Sequence, residues 1–382
     1  MFANKYLQKH NTVSCLHVPV KINTGIIVVI PCIDEPDILL TLNSLNSCDT
    51  PFGNVEVLIV INHSETSGDT IKQNNLKTKL EIEGWVSGIK NETIKFFVIG
   101  PVEFKKKWAG AGLARKKGMD EAVCRFNHIR KPDGIIVSLD ADTLVEKNYL
   151  VEVEKHFSEN PKHVGATIAF RHETKGLPPK HLEGIRRYEK HLYYYKEALK
   201  YTGYPFAMFT IGSAFAVKVD AYVHRGGMNR RQAGEDFYFL QNLVQIGTVG
   251  EISSTKVYPS ARLSNRVPFG TGPILQKWMN GEKDLAKTYN FKAFVDLKCF
   301  FDMRTKLFKM EQTEYENLLS VIPESVSDFL VYDNFWIELD NLNKNCSTSE
   351  TFQVRFFQTF NAFKILKYIN FVHKNHYRMQ MF

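Results

Sequence analysis

The stretch Gly134-Ile135-Ile136-Val137-Ser138-Leu139-Asp140-Ala141-Asp142 decides the fold predicted for this chain. Its apolar, β-branched part follows a Pro132-Asp133 turn and predicts a short buried strand. Asp140 and Asp142 come where that strand leaves the sheet, and ligands of open α/β sheets bind at the carboxyl ends of strands. Two carboxylates there suit a divalent cation that also takes water and phosphate oxygens as ligands. The alternative is that both are ordinary loop or cap residues.

Similar apolar runs alternate with helical patterns on either side of this strand. The run 25–30 is apolar and stops at a proline, which is typical of a strand buried on both faces of a parallel sheet. Ile38, Leu42 and Leu45 then follow the spacing of one helix face. The polar segment 65–88 is expected to be mobile. This order predicts an α/β layer structure with a mainly parallel central sheet. Further strands are predicted at 55–61, 94–99, 164–170 and 211–217, and the segment 257–266 is predicted to be extended.

The character of the chain changes near residue 291, where glycine disappears and Phe, Leu and Tyr become dense. We therefore predict a polar lead-in over 1–24, an α/β domain over 25–290 and a mostly helical C-terminal region over 291–382. In the last region, apolar residues follow helical spacing and basic residues are interleaved toward the end. The apolar residues are Phe352, Phe356, Phe360, Phe363, Leu366 and Ile369, and the basic residues are Lys364, Lys367, Lys374 and Arg378. They predict a helix packed on the rest of the chain or on a dimer partner. A basic amphipathic helix at an anionic membrane is the sharper alternative.

Composition is ordinary for a soluble globular protein, with 382 residues, 44% hydrophobic and 24% charged. The net charge of +8 fits a nucleotide, a phospholipid headgroup or a nucleic acid without choosing among them. The six cysteines are single, with no CxxC pair, so a zinc knuckle and a redox motif are excluded and a reducing compartment is favoured. With no secretory signal and no long apolar run, a cytoplasmic location is expected, with peripheral contact at the cytoplasmic face of the membrane left open.

Glu235-Asp236 is a second acidic pair, placed at a predicted helix start. Acidic residues there cap backbone amides and complement the helix dipole, which is the ordinary interpretation. The functional interpretation is a general base that takes the proton of an attacking hydroxyl.

Two basic stretches could meet an anion. The glycines of Gly110-Ala111-Gly112 precede a basic helix with Arg115, but a dinucleotide-binding fingerprint is excluded because it requires Gly or Ala at position 115 and a place after the first strand. An anion at the helix N-terminus beside Arg115 stays possible, as does a solvated basic face. Arg262 and Arg266, next to a glycine-rich loop, are either surface residues or partners of a pyrophosphate.

Several motifs resemble those of family 2 glycosyltransferases with the GT-A fold, from about Gly25 to Gly272. They occur in the expected order. The motifs are Ile26-Ile27-Val28-Val29-Ile30-Pro31-x-x-Asp34-Glu35, Gly110-x-Gly112-x-Ala114-Arg115, Ser138-Leu139-Asp140-Ala141-Asp142, Gly212-Ser213-Ala214-Phe215-Ala216 through Gly226-Gly227-Met228, and Gly234-Glu235-Asp236.

The resemblance implies a GT-A type Rossmann-like sandwich, with a half that binds the sugar donor over about 25–145 and an acceptor half over about 146–290. It implies an inverting enzyme with Mg²⁺ or Mn²⁺ held by Asp140 and Asp142, and Asp236 as the base with Glu235 orienting it. A UDP- or GDP-sugar is the expected partner, together with a glycan or lipid-linked acceptor of cell-surface polysaccharide or glycoconjugate synthesis, and no nucleic acid. The residues implied to bind the nucleotide sugar are Pro31, Ile33, Glu35, Asn62, Gly112, Arg115, Leu139, Asp140 and Arg266.

The chain departs from the family pattern at Asn62, where the second strand usually ends in an aspartate that binds the base. An amide offers both a donor and an acceptor, so nucleotide identity is left open. Because no QxxRW signature is present, addition of a single sugar is favoured over polymerisation. A sugar-phosphate nucleotidyltransferase and a catalytically inactive binding or scaffold subunit stay as alternatives, and the sequence leaves the sugar, the acceptor and the oligomeric state open.

Overall fold

The computed structural model describes residues 1–230, 232, 234–264 and 270–382, so Arg266 lies outside the described residues. The strands are β1 (Thr24–Cys32), β2 (Asn54–Ser64), β3 (Ile94–Phe104), β4 (Ile135–Ser138), β5 (Thr143–Val145), β6 (His163–Phe170), β7 (Phe215–Lys218), β8 (Thr248–Pro259), β9 (Lys287–Thr288) and β10 (Gln380–Met381). The helices are α1 (Asn4–Lys9), α2 (Ile38–Asn46), α3 (Asp69–Ser87), α4 (Ala111–His128), α5 (Tyr149–Glu159), α6 (Pro179–Tyr201), α7 (Val219–His224), α8 (Glu235–Leu243), α9 (Thr271–Met279), α10 (Phe291–Asp302), α11 (Gln312–Leu319), α12 (Glu324–Tyr332), α13 (Phe335–Lys344), α14 (Ser349–Thr359) and α15 (Ala362–Asn375), with a 3₁₀ turn at Arg304–Leu307.

Within the described residues, eight strands form one sheet in the order β3-β2-β1-β4-β7-β6-β8-β5. The pairs β1–β2, β2–β3, β1–β4 and β6–β8 are parallel. Strand β7 runs antiparallel to β4 and β6, and β5 runs antiparallel to β8. Every residue of β1 is buried, as its unbroken apolar run predicts for a strand covered on both faces. The predicted fold class, α/β with a mainly parallel central sheet and a mostly helical C-terminal region, is confirmed.

The register of the parallel strands places their carboxyl ends at one edge of the sheet. Val29 of β1 lies opposite Ser138 of β4, and Cys32 at the end of β1 lies opposite Ile61 of β2. The residues that follow β1, β2 and β4 therefore come together at this edge, which is where a ligand of such a sheet is expected.

The described residues group into two compact units, which we call unit 1 (residues 1–178 and 210–276) and unit 2 (residues 179–209 and 277–382). Strands β1 to β8 belong to unit 1, whereas α6 groups with α10 to α15 in unit 2. The predicted domain limits after residues 24 and 290 stay a prediction.

Unit 2 has an aromatic core of its own. Phe300, Phe301, Phe356 and Phe360 are fully buried, and the rings of Phe301 and Phe360 lie 5.3 Å apart between centroids. Of the C-terminal phenylalanines with helical spacing, the first three, Phe352, Phe356 and Phe360, are therefore core residues. The series is divided between α14 and α15. Lys364 pairs with buried Asp333 inside unit 2. Membrane contact through this region stays a prediction, and across the described chain none of the helices combines the length and apolarity needed to span a bilayer.

Three predicted elements differ from the structure. The segment 65–88, predicted to be mobile, contains the 19-residue helix α3. Its apolar periodicity is weak because only Asn75, Thr78 and Ile82 of that helix are buried. The strand predicted at 211–217 begins only at Phe215. Of the segment predicted to be extended over 257–266, residues 257–259 form the end of the longer strand β8, and 265 and 266 lie outside the described residues.

The N-terminal lead-in packs on α4, the helix that carries Arg115. The Tyr6 hydroxyl donates a hydrogen bond to Asp120 Oδ1 at 2.6 Å. The backbone N–H of Cys15 donates to Glu121 Oε2 at 2.8 Å. These contacts hold the N-terminal residues against α4.

Candidate functional site

Asp140 and Asp142 lie on the short turn between β4 and β5. The Leu139 N–H still donates to the Val29 carbonyl oxygen at 3.1 Å, so the chain leaves the sheet only at Asp140. The Thr143 N–H donates to the Asp140 carbonyl oxygen at 3.2 Å and closes the turn. The side chains of Asp140 and Asp142 are 39% and 26% exposed, so both carboxylates can be reached from solvent.

The guanidinium of Arg115, only 2% exposed, links this turn to the second acidic pair. Its Nε donates to Ser138 Oγ at 2.7 Å, and its two terminal nitrogens donate to Asp140 and Glu235. Ser138 Oγ in turn donates to the Gly212 carbonyl oxygen at 2.6 Å. Burial opposes the charged form of Arg115, but Asp140 and Glu235 raise its pKa, so the guanidinium stays charged.

Asp236 lies beside the same guanidinium at the start of α8. Gly234 adopts the left-handed conformation with φ of 72° just before this helix. The Phe237 N–H donates to Asp236 Oδ1 at 2.7 Å. A Cβ added to Gly212 would lie 2.7 Å from Arg115 Nη2 and 3.4 Å from Asp236 Oδ2. Glycine at 212 therefore allows Arg115 and Asp236 to lie close to the backbone of this segment.

The electrostatic surroundings of Asp236 favour its neutral form. Burial raises the pKa of Asp236 to about 7, the charge of Glu235 adds to the rise, and Arg115 opposes it. A carboxyl with a pKa near neutrality can accept a proton and release it again at physiological pH, which is the property of a general base.

Arg262 forms a second link at the turn, on the side of Asp142. Its Nη1 donates to Glu35 Oε1 at 2.6 Å, its Nη2 pairs with Glu35 Oε2, and the same Nη2 lies 3.0 Å from Asp142 Oδ2. The pairing of β5 with β8 brings this arginine to the turn, since the Ser260 N–H donates to the Asp142 carbonyl oxygen at 3.1 Å. Burial raises the pKa of Asp142 to about 7, with Arg262 opposing the rise.

Asn62 lies buried near the end of β2, and its amide orientation follows from its contacts. Its Nδ2 donates to the carbonyl oxygens of Cys32 at 2.9 Å and Val60 at 3.4 Å. Its Oδ1 has no hydrogen-bond partner within the described part of the chain. Asn75 of α3 donates to the Asn62 carbonyl oxygen at 2.8 Å and accepts from the Asp34 N–H at 2.9 Å, so α3 fixes the loop after β1.

The structure thus brings the predicted residues together in two groups, and the functional roles assigned to them stay predictions. One group is Arg115 with Asp140, Glu235 and Asp236. The other is Glu35 with Asp142. Four further predicted residues lie close along the chain to members of these groups. Pro31 is near the end of β1, Ile33 comes directly after β1, Gly112 is in the first turn of α4, and Leu139 comes directly after β4.

Sequence reasoning missed three residues of this site. The sequence leaves Arg262 as either a surface residue or a pyrophosphate partner, contains Ser138 only as part of a motif, and places Asn75 in the segment predicted to be mobile. The pairing of Thr143 with Pro259 between β5 and β8 is what brings Arg262 to Asp142, and an antiparallel pairing of such distant segments leaves no local signal in the sequence.

The residues at the turn fit a divalent cation that retains other ligands. Asp140 and Asp142 provide hard carboxylate oxygens on partly exposed side chains, whereas no group of three or more His, Cys, Asp or Glu side chains among the described residues is arranged to hold a metal ion. A cation here would therefore complete its shell with water or phosphate oxygens, as Mg²⁺ commonly does. Each aspartate already has an arginine partner, which such a cation would have to share or replace.

Comparison with known proteins gives structural likeness at low identity. No family model and no curated protein matches the chain. It is similar to the structure of S. aureus TarS 1–349 in complex with UDP-GlcNAc, at 13% identity and a TM-score of 0.44 over 88% of this chain and 92% of that chain. The complex of the same protein with UDP gives 12% identity and a TM-score of 0.42 over the same shares. A likeness of this extent leaves the function to be argued from the residues of this chain.

Proposed function

We propose that the chain is an inverting glycosyltransferase that moves one sugar from a nucleoside-diphosphate sugar to a hydroxyl of a glycan or lipid-linked acceptor, in cell-surface polysaccharide or glycoconjugate synthesis. The observation that carries the proposal is the arrangement around Arg115. This one buried guanidinium joins Asp140 of the Asp-x-Asp turn to Glu235 of the second acidic pair, with Asp236 beside it. A group suited to hold a diphosphate and a group suited to accept a proton are thus adjacent.

The first part of the reaction is departure of the nucleoside diphosphate. Negative charge develops on the bridging oxygen as its bond to the sugar C1 breaks. Asp140 and Asp142 would hold Mg²⁺ or Mn²⁺, which when bound supplies positive charge to neutralise the diphosphate. Arg115 keeps Asp140 oriented on the turn, because its guanidinium contacts Ser138, Asp140 and Glu235 at once.

The second part is attack by the acceptor hydroxyl on C1 from the opposite face, which inverts the anomeric centre. Asp236 would accept the hydroxyl proton as the new bond forms. Its pKa of about 7 suits this role, because a stronger acid would be a weaker base. Glu235, bound by Arg115, holds the carboxylate pair at the start of α8.

The orientation of Asn62 favours particular bases. Since its Nδ2 is used by the carbonyl oxygens of Cys32 and Val60, its Oδ1 is the atom left to bind a ligand, and it accepts hydrogen bonds. Uracil and guanine carry a ring N–H that can donate to it, whereas cytosine and adenine can donate to it only from their exocyclic amino groups. UDP- or GDP-sugars are therefore the proposed sugar donors.

The test is release of nucleoside diphosphate from a panel of UDP- and GDP-sugars with Mn²⁺ or Mg²⁺. Asp140→Ala and Asp142→Ala should abolish release and transfer, because each removes half of the cation site. Asp133→Ala is the matched control, since Asp133 is an exposed aspartate just before β4. Full activity in either of the first two variants would exclude the metal assignment.

The same assay separates the alternatives. A nucleotidyltransferase would release pyrophosphate from a nucleoside triphosphate and a sugar phosphate, and would leave nucleotide sugars intact in the absence of pyrophosphate. An inactive binding subunit would bind nucleotide and release nothing with any sugar donor and acceptor.

A further inference from the structure

Arg262 occupies an unusual position for a residue outside the motifs. It makes a two-point contact with Glu35, which is almost fully buried, and a third contact with Asp142 at 3.0 Å. It therefore joins the loop after β1 to the Asp-x-Asp turn. The Arg262 side chain is 29% exposed, so it lies at the protein surface, where a ligand can approach it.

The charges around Asp142 need a positive partner. Asp142 and Glu35 lie close enough for one guanidinium to contact both, since Arg262 makes two contacts with Glu35 and lies 3.0 Å from Asp142 Oδ2. A divalent cation at Asp142 would supply the same positive charge. Arg262 and a cation bound at Asp142 therefore compete for one carboxylate in the protein without nucleotide.

A nucleoside diphosphate changes this competition. Its phosphate oxygens are good two-point partners for a guanidinium, as carboxylates are. They also provide ligands that two aspartates alone do not offer a cation. A diphosphate can therefore pair with Arg262 and complete the cation's shell at the same time.

We propose that Arg262 is an exchangeable counter-ion, which neutralises Glu35 and Asp142 in the unliganded protein and transfers to the diphosphate when nucleotide and cation bind together. The proposal rests on the proposed function, because it requires the nucleotide and the cation at this turn. It makes cation binding depend on nucleotide through one named side chain, and it gives Arg262 a role in binding the sugar donor.

The experiment titrates Mn²⁺ into the full chain, with free Mn²⁺ followed by electron paramagnetic resonance, with and without UDP or GDP. Without nucleotide, Arg262→Gln should bind Mn²⁺ about fivefold more tightly than the unmodified protein, the scale of one partly exposed ion pair. The same variant should bind UDP or GDP at least fivefold more weakly. Arg262→Lys keeps the positive charge and loses the two-point hydrogen bonding of the guanidinium. Its affinities for Mn²⁺ and for nucleotide should lie between those of the unmodified protein and Arg262→Gln. It replaces Arg262→Gln in the experiment if that variant does not fold.

Arg186→Gln is the matched control, because Arg186 is an exposed arginine on α6 in unit 2, and it should leave both affinities unchanged. Equal Mn²⁺ affinity in the unmodified protein, Arg262→Gln and Arg262→Lys without nucleotide overturns the role of Arg262. If these proteins bind Mn²⁺ only with nucleotide and equally well, the proposed function stands and the counter-ion role fails. If no protein binds Mn²⁺ under any condition, the metal site itself fails and the counter-ion role fails with it.

Discussion

Arg115 and Arg262 make the same kind of link in two different settings. Each joins one aspartate of the Asp-x-Asp turn to a glutamate from a distant part of the chain, Arg115 to Glu235 and Arg262 to Glu35. Arg115 is 2% exposed, whereas Arg262 is 29% exposed. The chemistry of the two links is alike, and their access to solvent is not.

The difference in exposure indicates a structural role for Arg115 and a ligand-binding role for Arg262. All three nitrogen groups of Arg115 are used by Ser138, Asp140 and Glu235, and water cannot replace these partners. Removing the partner of a buried charge is costly, and the cost is smaller where a ligand or water can take the partner's place. Arg115 is therefore expected to be fixed and Arg262 to be replaceable by ligands.

The largest effect is expected on the Arg115 side, at Asp236. Asp236→Asn removes the proton acceptor and keeps the shape of the side chain, so transfer should fall by about 10²- to 10⁴-fold. Affinity for UDP or GDP should change little, because Asp236 is not proposed to touch the nucleotide. Steady-state kinetics and calorimetric nucleotide binding measure the two quantities.

Asp220→Asn is a matched control for this substitution. Asp220 also lies in the first turn of a helix and accepts from the N–H of the next residue at 2.7 Å, but it is exposed and follows the end of β7 that pairs with the start of β4, whereas Asp140 follows the end of β4. Its variant should keep full activity. Loss of nucleotide binding in Asp236→Asn would place Asp236 in the sugar-donor site, and full transfer would remove it as the base.

The next largest effect is on stability. Arg115→Met leaves Glu235 and Asp140 without their shared cation, and loss of a buried pair of this kind costs about 3 to 5 kcal/mol. Arg125→Met is the matched variant, because Arg125 is equally buried against Glu56 and lies on the same helix. Urea denaturation should show similar losses of unfolding free energy for the two variants. At urea concentrations below the unfolding transition, only Arg115→Met should also weaken the nucleotide-dependent activity. Unchanged stability in Arg115→Met would mean that its contacts are not the fixed link described above.

The sheet and the acidic pairs were largely predictable because their signals are local. The unbroken apolar run of β1 and the run before Asp140 each reveal a buried strand and the edge at which it ends. The helix start at Glu235 was predictable for the same reason, since a glycine and two acids mark it.

The links between these elements were not predictable. Nothing near Arg262 in the sequence indicates Glu35, which lies 227 residues earlier and meets it only through the pairing of β5 with β8. Helix α3 was missed because its buried side includes Asn75 and Thr78, and polar residues hide the apolar period. Tertiary contacts of polar side chains carry no periodicity, so sequence patterns do not reveal them.

A third prediction concerns pH and tests the carboxylate pair on the Arg115 side. Because the pKa of Asp236 is raised to about 7, the base is protonated below that pH, and transfer should fall about tenfold per pH unit well below 7 and level off above it. Glu235→Gln removes a neighbouring negative charge, so it should lower the pKa of Asp236 and move the profile to lower pH. Rates across pH 5 to about 9 for both proteins check this, and a profile that does not move in Glu235→Gln would show that Glu235 does not influence the base.

The smallest effect is expected for the stability of the unliganded Arg262 link. Arg262→Gln should lower the free energy of unfolding by about 1 to 2 kcal/mol, less than Arg115→Met, because solvent can reach the guanidinium although Glu35 is buried. A double-mutant cycle with Glu35→Gln isolates the pair, and its coupling should be about 1 kcal/mol. A coupling as large as that of Arg115 with Glu235, measured in the same way, would contradict the difference between the two links. It would mean that Glu35 holds Arg262 as firmly as Glu235 holds Arg115, and a diphosphate could not then displace it at modest concentration.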